Sequence, residues 1–229
     1  MTRALVIDYS TDRTAGADIS RWIPPDALAG VFTPGSQDFP DPMEFTHVVH
    51  SGSALSICDD APFQEEAETF IRRAVDGGVR QMGICYGHQL LARAVSGRDA
   101  VRRNPSGGET GWLEVLWSPF ASALLGIPRS TRLFQFHYDE VVRLPDGAAV
   151  LAWSPVSFIE SFVSFDLGLF GVQFHPEFGR EPGNALFLRE RAKIESKGLD
   201  PELIVRGGPE PDTDGVFFRA FLGPVWNGR

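Results

Sequence analysis

The chain has 229 residues, 43% hydrophobic and 22% charged, with a formal net charge of -9. This length predicts one domain, spanning 1–229, around one substantial core, and no apolar run reaches the roughly 18 residues that suggest a membrane helix. The acidic balance argues against a nucleic-acid partner, which would require concentrated basic surface to displace counterions.

Arg102 and Arg103 form a small basic spot that reads as solvated surface. Two cysteines, Cys58 and Cys85, are too few for a disulfide framework and lack C-x-x-C spacing. Reduced thiols and no structural zinc are therefore expected. The opening MTRALVIDYS reaches Asp8 too soon for a signal-peptide core, so a cytoplasmic location is expected.

In chain order, Ala4 to Ile7 reads as a buried strand ending in a polar loop, and His47 to His50 repeats the pattern before the turn signal Ser51, Gly52, Ser53. From Pro62 to Val75, Phe63, Ala67, Phe70, Ile71 and Ala74 recur at helical spacing, with acidic residues leading and basic ones trailing. Gly77 and Gly78 end that helix. Val79 to Ile84 is a third strand, which runs into Cys85, and Gln89 to Val95 a second helix.

The middle, from Asn104 to Pro155, is broken by Gly and Pro and holds short alternating runs at Leu113 to Trp117, Leu133 to Phe136 and Ala149 to Trp153. These predict a partly antiparallel extension of the same sheet. Leu169 to Phe174 is one more buried strand; Gly183 to Ser196 and Asp214 to Leu222 read as helices. Between those helices, GGPEPDTDG at Gly207 to Gly215 reads as a flexible linker or surface loop. The expected fold is α/β: a flavodoxin-like three-layer αβα sandwich with a mostly parallel central sheet and an antiparallel extension.

The stretch GICYGHQ, Gly83 to Gln89, puts a cysteine between two glycines where a strand passes into a helix. This is the pattern of a nucleophile elbow, with small residues flanking a strained central position. A helix N-terminus at Cys85 would favour the thiolate, the attacking form. A lone buried cysteine is otherwise a small core residue, so its partners decide between the two. FHPEF, Phe174 to Phe178, supplies them: His175 and Glu177, two apart at the end of a strand, can act as a base and as the group that orients it.

GICYGHQLLARAVSG together with GVQFHPEF resembles the class I glutamine amidotransferase family, and VVHSGSALSICDDAPF and FQFHYDEVVRLPDGAAVLAWS extend the resemblance over nearly the whole chain. Within that family the chain is similar to stand-alone glutaminase-type domains like that of GMP synthetase. The resemblance implies a catalytic triad of Cys85, His175 and Glu177, and an oxyanion hole of the backbone N–H groups of Gly52 and Tyr86. It also implies substrate contacts from Gln89, His137 and Tyr138, the last two largely through backbone. Many relatives carry Gly where Tyr138 stands, which bears on pocket shape. Glu109, in GGETGW, reads as a brace for its loop, His88 as a packing residue beneath the elbow, and Cys58 as an ordinary small residue.

No cofactor and no metal is expected. Three functions follow from the resemblance. One is a glutaminase that releases ammonia for a separate ATP-dependent synthetase, since the chain has no G-x-x-x-x-G-K-[ST] loop. The second is a stand-alone γ-glutamyl peptidase or hydrolase using the same triad, and the third a non-catalytic regulatory homologue.

Overall fold

Alternation of side chains across a strand decides which residue serves which layer, and β1 (Ala4–Ile7) shows it at once. Ala4 and Val6 enter one hydrophobic cluster while Leu5 and Ile7 enter the other. The structure, a computed structural model, describes residues 1–35, 38–213 and 215–223. After β1 come α1 (Ala15–Ser20), β2 (Leu28–Phe32), β3 (His47–His50), α2 (Gln64–Asp76), β4 (Arg80–Ile84) and α3 (Tyr86–Ser96). The middle of the chain holds β5 (Val101–Arg103), β6 (Glu109–Trp117), α4 (Pro119–Leu125), β7 (Ser130–His137), β8 (Asp139–Val141), β9 (Ala149–Trp153) and β10 (Ser161–Ser164). The last part holds β11 (Leu169–Val172), α5 (Arg180–Arg189), α6 (Arg191–Glu195), α7 (Pro201–Ile204) and α8 (Val216–Leu222).

The main sheet has the order β2-β1-β3-β4-β11-β10-β9-β6-β7, and β5 pairs with β8 in a small second ribbon. Pairings from β2 to β11 are parallel and those from β11 to β7 antiparallel. This is a mostly parallel sheet with an antiparallel extension and helices on both faces. The central strands β3 and β11 are buried throughout, as parallel strands covered on both faces must be. One face packs Ile19 of α1, Ala121 of α4 and Phe217 and Phe221 of α8. The other packs Phe70 and Ile71 of α2 with Leu90 and Leu91 of α3. A third cluster, Trp112, Phe134, Phe187 and Ile194, seats α5 and α6 on the antiparallel end.

Several stretches differ from the sequence reading. The helix after the elbow starts at Tyr86, directly behind Cys85, rather than at Gln89. Tyr86, Gly87 and His88 look unlike an amphipathic first turn because every one of them is buried. The helix expected over Gly183 to Ser196 is two, α5 and α6, divided at Glu190, whose ψ of 17° leaves the helical range. The expected flexible stretch after Gly207 is pinned at Glu210, which exchanges two backbone hydrogen bonds with Arg132 at 2.7 and 3.1 Å. The final helix begins at Val216; Asp214, where it was expected to begin, lies outside the described residues.

Candidate active site

Strands β4 and β11 are parallel neighbours with Ile84 opposite Val172. The residues that follow them therefore leave the sheet side by side at its C-terminal edge, the place where ligands bind in open α/β sheets. Cys85 follows β4; Gln173, Phe174 and His175 follow β11. Cys85 adopts φ 51° and ψ -104°, a left-handed conformation that a residue with a side chain adopts only under strain. Its N–H bonds to Val172 O at 2.8 Å, holding the elbow to β11.

The flanking glycines are required by contact. A Cβ on Gly83 would overlap the backbone of Gly87 at the start of α3, and a Cβ on Gly87 would overlap the carbonyl of His50 at the end of β3. A Cβ on Gly52 would lie 2.6 Å from His175 Cε1 and 3.5 Å from Cys85 Cβ, so this glycine makes room for the pair. The backbone N–H of Gly52 and that of Tyr86 find no protein acceptor among the described residues, whereas their neighbours Ser51, Cys85 and Gly87 donate to Ile7, Val172 and Ser51. Two unspent donors thus flank the thiol.

His175 Nδ1 donates to Glu177 Oε1 at 2.7 Å, which assigns its proton to that nitrogen and turns Nε2 to other work. The ring lies beside Cys85 across Gly52, packs edge-to-face with Phe134 and stacks on Phe178. Burial alone would lower its pKa. The charge of Glu177 and the interaction with Cys85 overcome it and raise the value to about 10. Glu177 is 2% exposed, and its backbone carbonyl accepts from Trp22 Nε1 at 3.2 Å.

Gln89 lines the cavity, but its amide N–H groups are engaged by Asp139 O at 2.9 Å and Gln173 Oε1 at 3.0 Å. His88 lies beneath the elbow, packed on Phe162 with Nε2 at 3.2 Å from Ile159 O, and burial lowers its pKa to about 3. Cys58 stands apart from the cavity, and burial raises the pKa of its thiol. Tyr138 lines the cavity, which has a volume of about 440 Å³ and opens beside Cys85, His175 and Gly52.

Two supporting networks escaped the sequence reading because each needs strand register. Behind the elbow, Tyr9 Oη contacts His50 Nδ1 at 2.9 Å and His50 Nε2 contacts Gln81 Oε1 at 3.0 Å. Gln81 gives its own amide N–H to Ile71 O, so His50 Nε2 carries the proton and Nδ1 accepts from Tyr9. Burial lowers the pKa of His50 to about 4, and it stays neutral near pH 7.

The second network joins Glu109, His137 and Glu160. His137 Nδ1 donates to Asp139 O at 3.0 Å, while Nε2 faces Glu109 Oε2 at 3.3 Å and Glu160 Oε1 at 3.8 Å. Their ligand atoms lie within 4.8 Å of one another, a donor set that could hold a divalent cation. Proton sharing accounts for the same cluster. Burial, then the charge of Glu109, pushes the Glu160 carboxyl well above its usual range. Burial also opposes ionisation of Glu109, but the neighbouring His137 and Glu160 and the hydrogen bond from Ser154 Oγ outweigh it and lower its pKa. Glu109, read from the sequence as a brace for its loop, accepts from Ser154 Oγ at 2.9 Å, and no local motif marks its neighbour Glu160.

Such a sheet, with a cysteine on a strand-to-helix elbow and a histidine and carboxylate at the end of the next strand, defines a class: α/β proteins that present a thiol to a cleft at the sheet's C-terminal edge. The family profile described as glutamine amidotransferase class-I matches residues 45–194, and the chain belongs to that family. It is 34% identical over 134 residues to the glutamine-hydrolysing GMP synthase subunit of Sulfolobus acidocaldarius, covering 58% of this chain and 68% of that one. To the corresponding GMP synthase subunit of Pyrococcus furiosus it is 36% identical over 113 residues, 49% of this chain and 58% of the relative. Among solved structures, a glutamine amidotransferase from Thermotoga maritima superposes with a TM-score of 0.81 at 23% identity, covering 99% of both chains. That likeness speaks for the fold. Among the described residues, no helix is long and apolar enough to cross a membrane.

Proposed function

We propose that residues 1–229 act as one cytoplasmic glutaminase-type domain that hydrolyses the side-chain amide of glutamine through a γ-glutamyl thioester on Cys85. The observation that carries this reading is the arrangement around the thiol: Cys85 and His175 side by side at Gly52, His175 bonded to Glu177, and the N–H groups of Gly52 and Tyr86 without an acceptor among the described residues. The thiolate adds to the amide carbon, and the two N–H groups receive the developing oxyanion. His175 gives its proton to the departing nitrogen, the C–N bond breaks, and ammonia leaves a thioester behind. Water then attacks the thioester, giving its proton to His175. Glutamate departs, and the thiolate and imidazolium are restored. Glu177 keeps the ring in the productive tautomer.

The relatives named as subunits of a glutamine-hydrolysing GMP synthase support a further step, in which ammonia passes to a separate ATP-dependent synthetase. A second reading, a stand-alone γ-glutamyl peptidase or hydrolase with the same triad, is favoured by the cavity. At about 440 Å³, with Tyr138 in its wall, it has room for an amine larger than ammonia.

Purified protein given glutamine and a panel of γ-glutamyl peptides separates the two. Glutamate and ammonia from glutamine, faster with the synthetase present, are expected from the first. Peptides cleaved much faster than glutamine would replace it with the second. No turnover of any substrate and no labelling of Cys85 by 6-diazo-5-oxo-norleucine would leave the non-catalytic homologue. Cys85→Ser and His175→Ala should each lower turnover by about 1,000-fold or more, and Glu177→Ala by less. Substantial turnover by Cys85→Ser would refute the elbow assignment.

A further inference from the structure

The cavity beside Cys85 is rich in charge, and most of that charge is spent inside the protein. Asp12 pairs with Arg189 at 3.3 Å, Asp59 with Arg103 at 2.7 Å and Asp18 with Arg21 at 2.7 Å, which engages both arginines that line the cavity. Lys193 of α6 also lines the cavity and differs from them. It makes no ion pair among the described residues, and its ammonium lies over the rings of Phe136 at 5.1 Å and Tyr138 at 4.9 Å. Glu190, the nearby acid on the same segment, stands 3.7 Å from Arg189.

A second ammonium adds to the positive potential. Lys197 lies 3.6 Å from the centre of the Tyr138 ring and donates to Thr110 Oγ1 at 3.1 Å. Burial, then the charge of Lys193, lowers its pKa to about 8. Two cations thus share one aromatic ring in a protein of net charge -9. Cation–π contact supplies only part of what an ion pair would. Half-buried in the cavity wall with no counter-ion, Lys193 is suited to an anion that arrives with the ligand.

We propose that Lys193 is a specificity-determining residue that binds a carboxylate of the substrate in the cavity, with the Tyr138 ring as its platform. The inference rests on the γ-glutamyl amidase reading above and adds the charge that the substrate must carry. Two carboxylates offer the same chemistry: the α-carboxylate of the glutamyl unit, and a carboxylate on the departing amine.

The test compares kcat/KM in matched pairs. L-glutamine against 4-aminobutanamide isolates the α-carboxylate; γ-glutamylglycine against γ-glutamylglycinamide isolates that of the amine. In one pair the wild-type protein should favour the carboxylate-bearing member. Lys193→Met should reduce that preference about 10- to 100-fold, mainly through KM, and Lys193→Arg should restore most of it. Arg191→Met, on the same helix but paired outward with Glu202 and Glu195, should leave the preference intact and so exclude general damage to α6. The pair that responds identifies the carboxylate. Wild-type turnover with neither preference sensitive to Lys193→Met overturns the inference alone, whereas absence of turnover on all four substrates overturns the functional reading and this inference with it.

Discussion

At the scale of single residues, Cys85 stores conformational energy that its neighbours must hold. With φ at 51°, the backbone sits where a side chain costs about 1–3 kcal/mol. Replacing alanine by glycine at an ordinary site lowers stability by roughly 0.5–1 kcal/mol. Here the sign should reverse: Cys85→Gly should melt at a higher temperature than Cys85→Ala, and under the proposed mechanism both should be inactive. A lower melting temperature for Cys85→Gly would show an unstrained elbow. His175 is the other residue with a measurable signature. Its pKa of about 10 lies above the ordinary value near 6.5. The stability it contributes is therefore full below about pH 6.5 and is lost as pH rises through about 10. Glu177→Gln removes a charge that raises this pKa, so the alkaline limb of the kcat/KM profile should move to lower pH. A limb that stays in place would mean that Glu177 does not act on His175 electrostatically.

At the scale of elements, the elbow works because α3 lies hard against the end of β3. Gly87→Ala pushes a methyl group into the His50 carbonyl and should cost about 1–3 kcal/mol by overpacking, read as a lower melting temperature together with lost turnover. An unchanged melting temperature would contradict the close approach. The same tightness explains what the sequence disclosed. The strands β1 and β11 were legible as continuous apolar runs, which mark strands buried on both faces, β3 as the pair Val48 and Val49 before a turn signal, and β4 by its place between Gly77, Gly78 and the elbow. The edge strand β2, with only Phe32 fully buried, and the four-residue β10, whose serines are buried, carry no such mark. Helix α4 has its signals in Ser118, Pro119 and Gly126, but seven residues are too few to show a period. The division of α5 from α6 at Glu190 has no Gly or Pro to mark it in the sequence, and both helices contribute to one cluster, Phe187 from α5 and Ile194 from α6.

At the scale of the whole molecule, strand order assembles the site. Cys85 and His175 are far apart in the chain and adjacent in space because β11 inserts beside β4. Cys85, His175, Glu177 and the glycines around them were readable because each needs a particular residue type at a fixed local spacing. The Tyr9, His50 and Gln81 chain and the pairing of Glu109 with Glu160 were not, because they depend on which strands are neighbours and in what register. Lys193 belongs with them: a lysine on a charged helix signals nothing until the fold turns it into the cavity. The central claim is covalent chemistry at Cys85, and rapid-quench mass spectrometry with glutamine or a γ-glutamyl peptide tests it most directly. The expected result is a transient γ-glutamyl adduct confined to the peptide that carries Cys85, formed as the amine is released and absent in Cys85→Ser. Release of glutamate with no adduct at any time, or with the adduct on Cys58, would contradict it.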